Sequence, residues 1–363
     1  MSHLEYMARA ISLAEQGLYT TDPNPRVGCV IVKDGVVVGE GFHLKTGEGH
    51  AEVNALAMAG DSAQGAIAYV TLEPCSHFGR TPPCSDGLIK AGIKHVICAM
   101  QDPNPQVAGK GFEKLKAANI EVTLGVLEEQ ARALNPGFIK RMESGMPFVR
   151  LKMAASLDGR TAMQSGESQW ITGPAARSDV QKLRARSSAI ISGIDSILQD
   201  DSSLTVRAQE LGFESDEYAQ FVASRQPLRV ILDSNGRLPK SAKLLKQNGD
   251  TLVAVKPGVQ LHVGAEVLPL NADENGLDLN ALLKELANRN CNEVLVETGA
   301  TLAGQFIQQG LADELVLFMA PCLMGSDARP LFNLPISEMA NKKDLKIIDS
   351  TMVGDDMRLT IRF

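Results

Sequence analysis

Hydrophobic and polar positions follow two periods along the first part of the chain. Short runs rich in valine and isoleucine, typical of strands, are separated by segments with an apolar residue every three or four positions, which indicates helices. Strands are predicted at 27–33, 36–41, 66–72, 95–99 and 121–125. Helices are predicted at 3–17, 50–59, 85–91, 111–119 and 127–144. This alternation predicts an α/β domain built around a layered sheet.

A helix-breaking segment, Gly145-Met146-Pro147, separates this pattern from a second one. We therefore predict two domains, at 1–146 and 147–363. The second domain has the same α/β character, without repeating the motifs of the first. Its predicted strands are 148–154, 189–193, 228–233, 251–255, 293–297 and 314–320, its helices 277–288 and 301–309, and its closing hairpin 344–350 with 358–363.

Composition and charge limit the functions that are compatible with this pattern. The chain of 363 residues is 44% hydrophobic and 22% charged, as in ordinary globular proteins. Its formal charge of -7 argues against broad binding to nucleic acid or to anionic membranes. The first helix is interrupted by charges, unlike a signal peptide, and no apolar run reaches transmembrane length. We expect a cytoplasmic protein with small-molecule partners.

The cysteines divide into two groups. Six cysteines are too few for a disulfide scaffold in a chain of this length. Cys29, Cys98 and Cys322 lie in or beside apolar runs, where we expect them to be small core residues. Cys75 and Cys84 each follow a proline in a segment rich in turn-forming residues, which indicates an ordered loop with a function.

These two cysteines combine with His50 and Glu52 into a metal motif. His50 and Glu52 open a predicted helix, and the order H-x-E, P-C and a second cysteine is the signature of zinc deaminases of nucleobases. One imidazole and two thiolates leave a fourth position of the tetrahedron for water, as in catalytic zinc sites. Glu52 is the expected proton carrier, from the water to the departing ammonia.

Two features of the segment between Cys75 and Cys84 are also compatible with other kinds of site. Eight residues separate Cys75 from Cys84, where the general signature has two, so a structural zinc site or unrelated loop cysteines also fit. His77 lies between the cysteines and is a competing ligand. We favour a role for His77 in facing the substrate, because a closed set of four ligands would leave no place for water.

The residues of the long loop resemble those of a known protein family. The segments Pro23-Asn-Pro-Arg-Val-Gly28, His50-Ala-Glu-Val53 and Glu73-Pro-Cys-Ser-His-Phe-Gly-Arg-Thr-Pro-Pro-Cys84 resemble those of bacterial riboflavin-biosynthesis deaminases, in which the longer spacing is normal. The second half resembles the reductase of the same pathway. The segments that carry this likeness are 152–160, 192–196, 200–207 and 297–304.

The resemblance implies a bifunctional pyrimidine deaminase and uracil reductase. It implies an N-terminal three-layer domain of the cytidine-deaminase type and a C-terminal domain like dihydrofolate reductase. The cofactors would be one Zn²⁺ and NADPH, and the substrates phosphoribosylaminopyrimidines. The first domain would remove the ring amine, and the second would reduce the ribosyl group to ribityl. We also expect a homo-oligomer.

The same resemblance implies residue roles. The zinc ligands would be His50, Cys75 and Cys84, with Glu52 as the proton carrier. Pyrimidine contacts would be Asn24, His43, His77, Asp102 and Asn104. Cofactor contacts would be Ala154, Trp170, Ser196, Asp200, Ser234, Gly299, Ala300, Thr301, Leu302, Ala303, Gly304 and Gln305. Contacts to the reductase substrate would be Ser168, Arg184, Leu204, Arg207 and Glu297. Lys152 and Asp200 are the candidates for polarising or protonating the sugar.

The residues themselves support some of these roles more than others. Segment 297–304 joins a predicted strand to a helix, where backbone N–H groups receive phosphate, but a plain turn has the same pattern. Arg184 and Arg207 suit charge-assisted bonds to a sugar phosphate, although surface charges would give the same sequence. The chain departs from the family at Ser196, where threonine is usual, and also at Ser202 and Thr298.

Two other functions share parts of this pattern. A deaminase of transfer RNA or of free cytidine would use the same zinc chemistry, and the acidic charge and the Arg80-Thr-Pro-Pro83 segment argue against it. A regulator with a structural zinc and a ligand-binding second domain would not need Glu52, Lys152 and Asp200 together.

Overall fold

The computed structural model describes residues 1–76, 82–274 and 276–363. The chain divides into two compact units, Met1–Gly145 and Met146–Phe363, each with its own sheet and hydrophobic core. The division falls at Gly145, which caps a helix with φ 69°. Glycine adopts this left-handed conformation without the steric penalty that a side chain imposes, so the helix ends there.

The first unit contains a five-stranded sheet in the order β2-β1-β3-β4-β5. Strand β1 is antiparallel to β2 and to β3, and β3, β4 and β5 are parallel to one another. The strands are β1 (Gly28–Lys33), β2 (Val36–Phe42), β3 (Ile67–Val70), β4 (His95–Cys98) and β5 (Glu121–Leu124).

Helices cover both faces of this sheet. They are α1 (His3–Glu15), α2 (Ala51–Ala59), α3 (Cys84–Lys90), α4 (Lys110–Ala117), α5 (Glu128–Leu134) and α6 (Pro136–Ser144). Successive strand residues point to opposite faces. Cys29 and Ile31 therefore pack with α2, α3 and α4, whereas Val30 and Val32 pack with α1, α5 and α6. The predicted α/β layers are confirmed as three layers.

The prediction of one helix over 127–144 is wrong, because the chain breaks at Asn135. Asn135 leaves the helical conformation with φ -129° and ψ 46°, and Pro136 starts the next helix. The Asn135 side chain accepts from the Arg26 backbone N–H at 2.8 Å and donates to the Arg26 carbonyl at 2.8 Å. The contact with Arg26 therefore ends the helix at Asn135, although the spacing of apolar residues predicts that the helix continues.

The second unit contains a nine-stranded sheet in the order β11-β10-β9-β8-β14-β6-β15-β18-β17. Its pairs are parallel except those of β18 with β15 and with β17. The strands of this sheet are β6 (Phe148–Ser156), β8 (Ala189–Gly193), β9 (Leu228–Leu232), β10 (Thr251–Val255), β11 (Glu266–Pro269), β14 (Glu293–Glu297), β15 (Glu314–Ala320), β17 (Lys346–Val353) and β18 (Asp356–Arg362). Two further antiparallel pairs are short: β7 (Arg160–Ala162) pairs with the distant β16 (Arg329–Pro330), and β12 (Ala272–Asp273) pairs with β13 (Gly276–Leu277).

The α-helices in the described part of this unit are α7 (Pro174–Arg186), α8 (Ile194–Asp200), α9 (Asp216–Ala223), α10 (Leu279–Asn288) and α11 (Ala300–Gln308). Helices α10 and α11 cover one core with β6, β8 and β14, and α8 belongs to a second core with β8, β9 and β10. Within the described ranges, no helix has the length and apolar character needed to cross a membrane.

Candidate active sites

Three metal-binding side chains meet in the first unit. The ligand atoms of His50, Cys75 and Cys84 all lie within 4.8 Å of one another. His50 Nδ1 is 3.2 Å from Cys84 Sγ and 3.7 Å from Cys75 Sγ. One imidazole nitrogen and two sulfurs facing one point fit a tetrahedral Zn²⁺ and leave its fourth position open. The structure therefore brings together the three residues that the sequence predicts as ligands.

Secondary structure places these ligands at the starts of helices. His50 is the N-cap of α2, Cys84 is the first residue of α3, and Cys75 follows the end of β3. The Cys84 backbone N–H donates to Cys75 Sγ at 3.3 Å. The positive ends of helix dipoles favour thiolates, which is the form that binds metal.

The protonation of the two sulfurs is coupled. Hydrogen bonding from Cys84, then from His50, lowers the pKa of Cys75, which makes Cys75 the thiolate in the absence of metal. The neighbouring Cys75 thiolate and burial raise the pKa of Cys84. A divalent cation would stabilise both thiolates, so that the ionisation of Cys75 would no longer oppose that of Cys84.

Glu52 lies beside this cluster in the first turn of α2 and is 3% exposed. Burial, followed by the charge of Cys75, raises its pKa to about 7. A carboxyl group with a pKa near neutrality takes up and releases protons readily at physiological pH. Close packing fixes its position, because a Cβ on Gly41 of β2 would lie 2.5 Å from the carbonyl oxygen of Ala51.

Two of the predicted pyrimidine contacts flank His50. The His43 ring meets the His50 ring edge to face, with centroids 5.3 Å apart. His43 Nδ1 donates to the Gly49 carbonyl at 3.2 Å, which leaves Nε2 to accept from Asn24 Nδ2 at 3.1 Å. Burial lowers the pKa of His43, in agreement with this neutral form. Asn24 and His43 therefore form one fixed pair next to the metal ligand.

The remaining pyrimidine candidates lie on one loop or outside the described residues. Asp102 and Asn104 follow β4, and Asp102 Oδ1 accepts from the Asn104 backbone N–H at 2.8 Å. The backbone N–H of Asp102 donates to the buried Glu73 at 3.2 Å. His77 and Arg80 lie outside the described residues.

The second unit holds a cavity of about 1890 Å³. Most of the residues predicted for the reductase line it, namely Lys152, Ala154, Ser168, Trp170, Arg184, Ser196, Asp200, Leu204, Arg207, Glu297, Gly299, Ala300, Thr301, Leu302 and Gln305. Among the described residues, Ser234, Ala303 and Gly304 do not line it. Ala303 is buried within α11, and Gly304 packs against the backbone of Asn333.

A buried ion pair between Arg184 and Glu297 lines this cavity. Arg184 donates to both carboxylate oxygens of Glu297, at 2.6 and 2.9 Å, and to the Thr205 carbonyl at 3.1 Å. Burial lowers the pKa of Lys152, with the charge of Glu297 opposing this shift and that of Arg184 adding to it. Arg207 is also paired, with Glu210. Both arginines predicted to grip phosphate are thus held by carboxylates.

The segment 204–207 is fixed by side chains from other elements. Leu204 has φ 51°, a conformation that costs a non-glycine residue about 1 kcal/mol or more. Gln226 accepts from the Val206 N–H at 2.9 Å and donates to the Val206 carbonyl at 2.9 Å. Gln181 accepts from the Arg207 N–H at 3.0 Å. These bonds place Leu204 and Arg207 at the cavity wall.

Trp170 is also part of the cavity lining. Its side chain is 70% exposed, and the Arg177 guanidinium stacks on its ring at 4.6 Å. A core position for this tryptophan is therefore excluded, and a large aromatic face remains open at the cavity. Segment 297–305 runs from the last residue of β14 into α11, whose N-terminus opens on the same cavity. Backbone N–H groups at the N-terminus of a helix are donors of the kind that bind phosphate.

Sequence reasoning missed Glu73, Gln181, Gln226 and Glu210 as functional residues. Glu73, Gln181 and Gln226 each bond to a loop 20 or more positions away, which no local spacing identifies, whereas Glu210 pairs with Arg207 only three positions away. Glu73 alone had a signal, since it stands two residues before Cys75 inside the quoted motif. The expectation that Cys322 is a core residue is wrong, because the residue is exposed at the end of β15, whereas Cys29 and Cys98 are buried as expected.

Family models match both halves of the chain. The cytidine and deoxycytidylate deaminase zinc-binding region matches residues 1–100, and the RibD C-terminal domain matches residues 147–359. The riboflavin biosynthesis protein RibD of Escherichia coli is 50% identical over 98% of this chain and 97% of its own length. That of Haemophilus influenzae is 51% identical over 98% of this chain and 96% of its own length.

Solved structures agree with these matches. Acinetobacter baumannii RibD is 48% identical, with a TM-score of 0.91 over 99% of this chain and 98% of that one. A deaminase/reductase from Thermotoga maritima is 34% identical, with a TM-score of 0.86 over 99% and 98% of the two chains. The first unit is thus a cytidine-deaminase-like domain and the second a RibD reductase domain. The chain belongs to the RibD family of bifunctional riboflavin-biosynthesis proteins.

Proposed function

We propose that this chain deaminates 2,5-diamino-6-(5-phosphoribosylamino)pyrimidin-4-one and then reduces the ribosyl group of 5-amino-6-(5-phosphoribosylamino)uracil to ribityl. The observation that carries the proposal is the metal cluster of His50, Cys75 and Cys84 beside the buried Glu52, in a chain that also holds the reductase cavity. Zinc and NADPH are the cofactors of the two domains.

In the deaminase site, zinc would supply an activated water molecule at neutral pH. Glu52 is the only member of the H-x-E motif free to carry protons, because His50 is committed to the metal. It receives the proton of the attacking water and delivers it to the ring amine, which leaves as ammonia while a carbonyl forms. Asn24 and His43 hold the pyrimidine edge, and Asp102 and Asn104 approach it from the loop after β4.

In the reductase site, NADPH would supply a hydride to the sugar. Lys152 and Asp200 are our candidates for delivering the matching proton. Arg207 and the buried Arg184–Glu297 pair bind the phosphoribosyl part of the substrate, and the N-terminus of α11 receives phosphate of the cofactor. Trp170 offers its exposed face for stacking.

The test is a sequential assay with purified, zinc-loaded protein. We expect ammonia release from the diaminopyrimidine substrate alone, and oxidation of NADPH after the deaminated product has formed. Ammonia release without NADPH oxidation would refute the reductase half. Release from cytidine or transfer RNA, but not from the phosphoribosylaminopyrimidine, would establish the rival deaminase function.

Location and assembly are also part of the proposal. The described part of the chain forms no disulfide, which suits the reducing cytoplasm and the thiolate ligands of zinc. The edge strand β17 exposes Ile347, Ile348 and Met352. An apolar sheet edge favours association, which supports a homo-oligomer. Light scattering of the purified chain measures the number of copies.

A further inference from the structure

Glu73 is a buried carboxylate that contacts a loop from another part of the chain. It is 3% exposed and lies just before Pro74 and the metal ligand Cys75. Its Oε2 accepts from the backbone N–H groups of Asp102 at 3.2 Å and Gly109 at 2.9 Å, and its Oε1 accepts from that of Gly111 at 2.9 Å. Three backbone donors thus compensate the desolvation of one negative charge.

Two of these donors belong to the start of α4. Gly109 is its N-cap, with φ 81°, and Gly111 lies in its first turn. The first N–H groups of a helix have no partner within the helix, and its dipole favours an anion there. The N-cap Gly109 has no side chain that could cap α4, and Glu73 provides this cap from the segment after β3.

Close packing holds residues 73–75 against the start of α4. A Cβ on Gly111 would lie 2.2 Å from the carbonyl oxygen of Pro74, so the two backbones are in direct contact. The Glu73 backbone N–H also donates to the Met100 carbonyl at 3.0 Å, at the end of β4. Residues 73–75 and residues 100–111 are therefore joined through backbone and side chain together.

The loop that Glu73 holds carries Asp102 and Asn104. Asp102 Oδ1 accepts from the Asn104 N–H at 2.8 Å, and Asn104 Oδ1 accepts from the Gln106 N–H at 3.0 Å. The position of Asn104 thus depends on that of Asp102, whose own N–H is bound to Glu73. We infer that Glu73 is a positioning residue for the pyrimidine, fixing Asp102 and Asn104 relative to the metal ligand Cys75. This inference rests on the proposed deaminase function.

The test compares Glu73→Gln with Glu113→Gln, which changes an exposed glutamate in the same helix α4. Glutamine keeps the size of the side chain, but replaces one accepting oxygen by an NH₂ donor facing backbone donors. We expect the KM of deamination to rise by about tenfold to about a hundredfold, since small misplacements of binding groups have effects of this size. Zinc content and reductase activity should stay unchanged, and Glu113→Gln should behave as the parent chain.

A second readout measures the loop directly. Hydrogen exchange of the amides of Asp102, Gly109 and Gly111 should become faster in Glu73→Gln and remain slow in Glu113→Gln. The shorter Glu73→Asp keeps the charge and should restore part of the KM. It also serves as the test if the glutamine variant does not fold.

Two results would overturn the inference: loss of zinc in Glu73→Gln, or an unchanged KM with unchanged exchange. If the parent chain itself releases no ammonia, the proposed function fails instead. The exchange experiment then still decides whether Glu73 fixes the loop.

Discussion

At the scale of single residues, the deaminase site separates metal binding from proton transfer. His50, Cys75 and Cys84 direct their ligand atoms at one point, and Glu52 lies beside them without belonging to the cluster. Burial raises the pKa of this carboxyl to about 7, so that it is partly protonated at neutral pH. A group in that state suits a proton carrier better than a permanent ligand, which would have to stay ionised.

Glu52→Gln should therefore retain zinc and lose deamination. Glutamine preserves the shape of the side chain but does not exchange a proton, so kcat should fall by about 10²- to 10⁴-fold. Metal analysis and ammonia release measure the two properties on one sample. Glu15→Gln, on the exposed face of α1, is the matched control and should be fully active. Zinc loss in Glu52→Gln would make Glu52 a ligand.

Lys152 supplies a pH-dependent prediction for the reductase. Burial lowers the pKa of Lys152 below the ordinary value of a lysine, while the carboxylate of Glu297 favours the ammonium form. If the ammonium donates the proton, reductase activity should fall as pH rises through this lowered pKa. Glu297→Gln removes the charge that favours the ammonium, so the alkaline fall of kcat/KM should move to lower pH. Glu217→Gln, at an exposed position of α9, is the control. An unchanged profile in Glu297→Gln would exclude Lys152 as the titrating group.

At the scale of elements, burial decides how well a sequence pattern predicts structure. The strands Ala189–Gly193, Thr251–Val255, Glu293–Glu297 and Glu314–Ala320 agree with their predicted bounds to the residue. Parallel strands buried on both faces give continuous apolar runs, which have clear ends. Helix α7, with the sequence PAARSDVQKLRAR, has only a thin apolar stripe and was not predicted. The break at Asn135 depends on Arg26, a residue far away in sequence.

Gln226 joins the segment 204–207 of the reductase cavity to helix α9, and a substitution there tests whether this connection positions the segment. Gln226 bonds to the Val206 N–H and carbonyl and donates to the Ala223 carbonyl at 2.8 Å, so it ties the segment to the end of α9. Gln226→Ala should lower the free energy of unfolding of the second unit by roughly 1–3 kcal/mol, since each bond contributes about 1 kcal/mol. The KM for the reductase substrate should rise, and deamination should not change. Gln220→Ala, at an exposed position of α9, should change neither. A normal KM in Gln226→Ala would show that the segment holds its shape without this side chain.

At the scale of the whole molecule, the two sites differ in how far the sequence predicts them. The zinc ligands lie within a segment of 35 residues at the ends of regular elements, and the H-x-E and P-C motifs predict them although the spacing of the two cysteines departs from the general signature. The reductase site depends on pairs such as Arg184 with Glu297, separated by 113 positions. No periodicity connects such residues, so only the family resemblance predicted them. The partners of Glu73, 29 to 38 positions away, were not predicted for the same reason.

Because each unit has its own core and its own site, we expect that one activity can be lost while the other is retained. The metal ligands all belong to Met1–Gly145, whereas every residue lining the reductase cavity belongs to Met146–Phe363. Stripping zinc with a chelator should therefore abolish ammonia release and leave NADPH oxidation intact when the deaminated substrate is supplied. Adding Zn²⁺ back should restore ammonia release, and Mg²⁺ should not, because thiolate ligands select soft cations. Parallel loss of both activities would mean that the folding of the second unit depends on the metal site of the first.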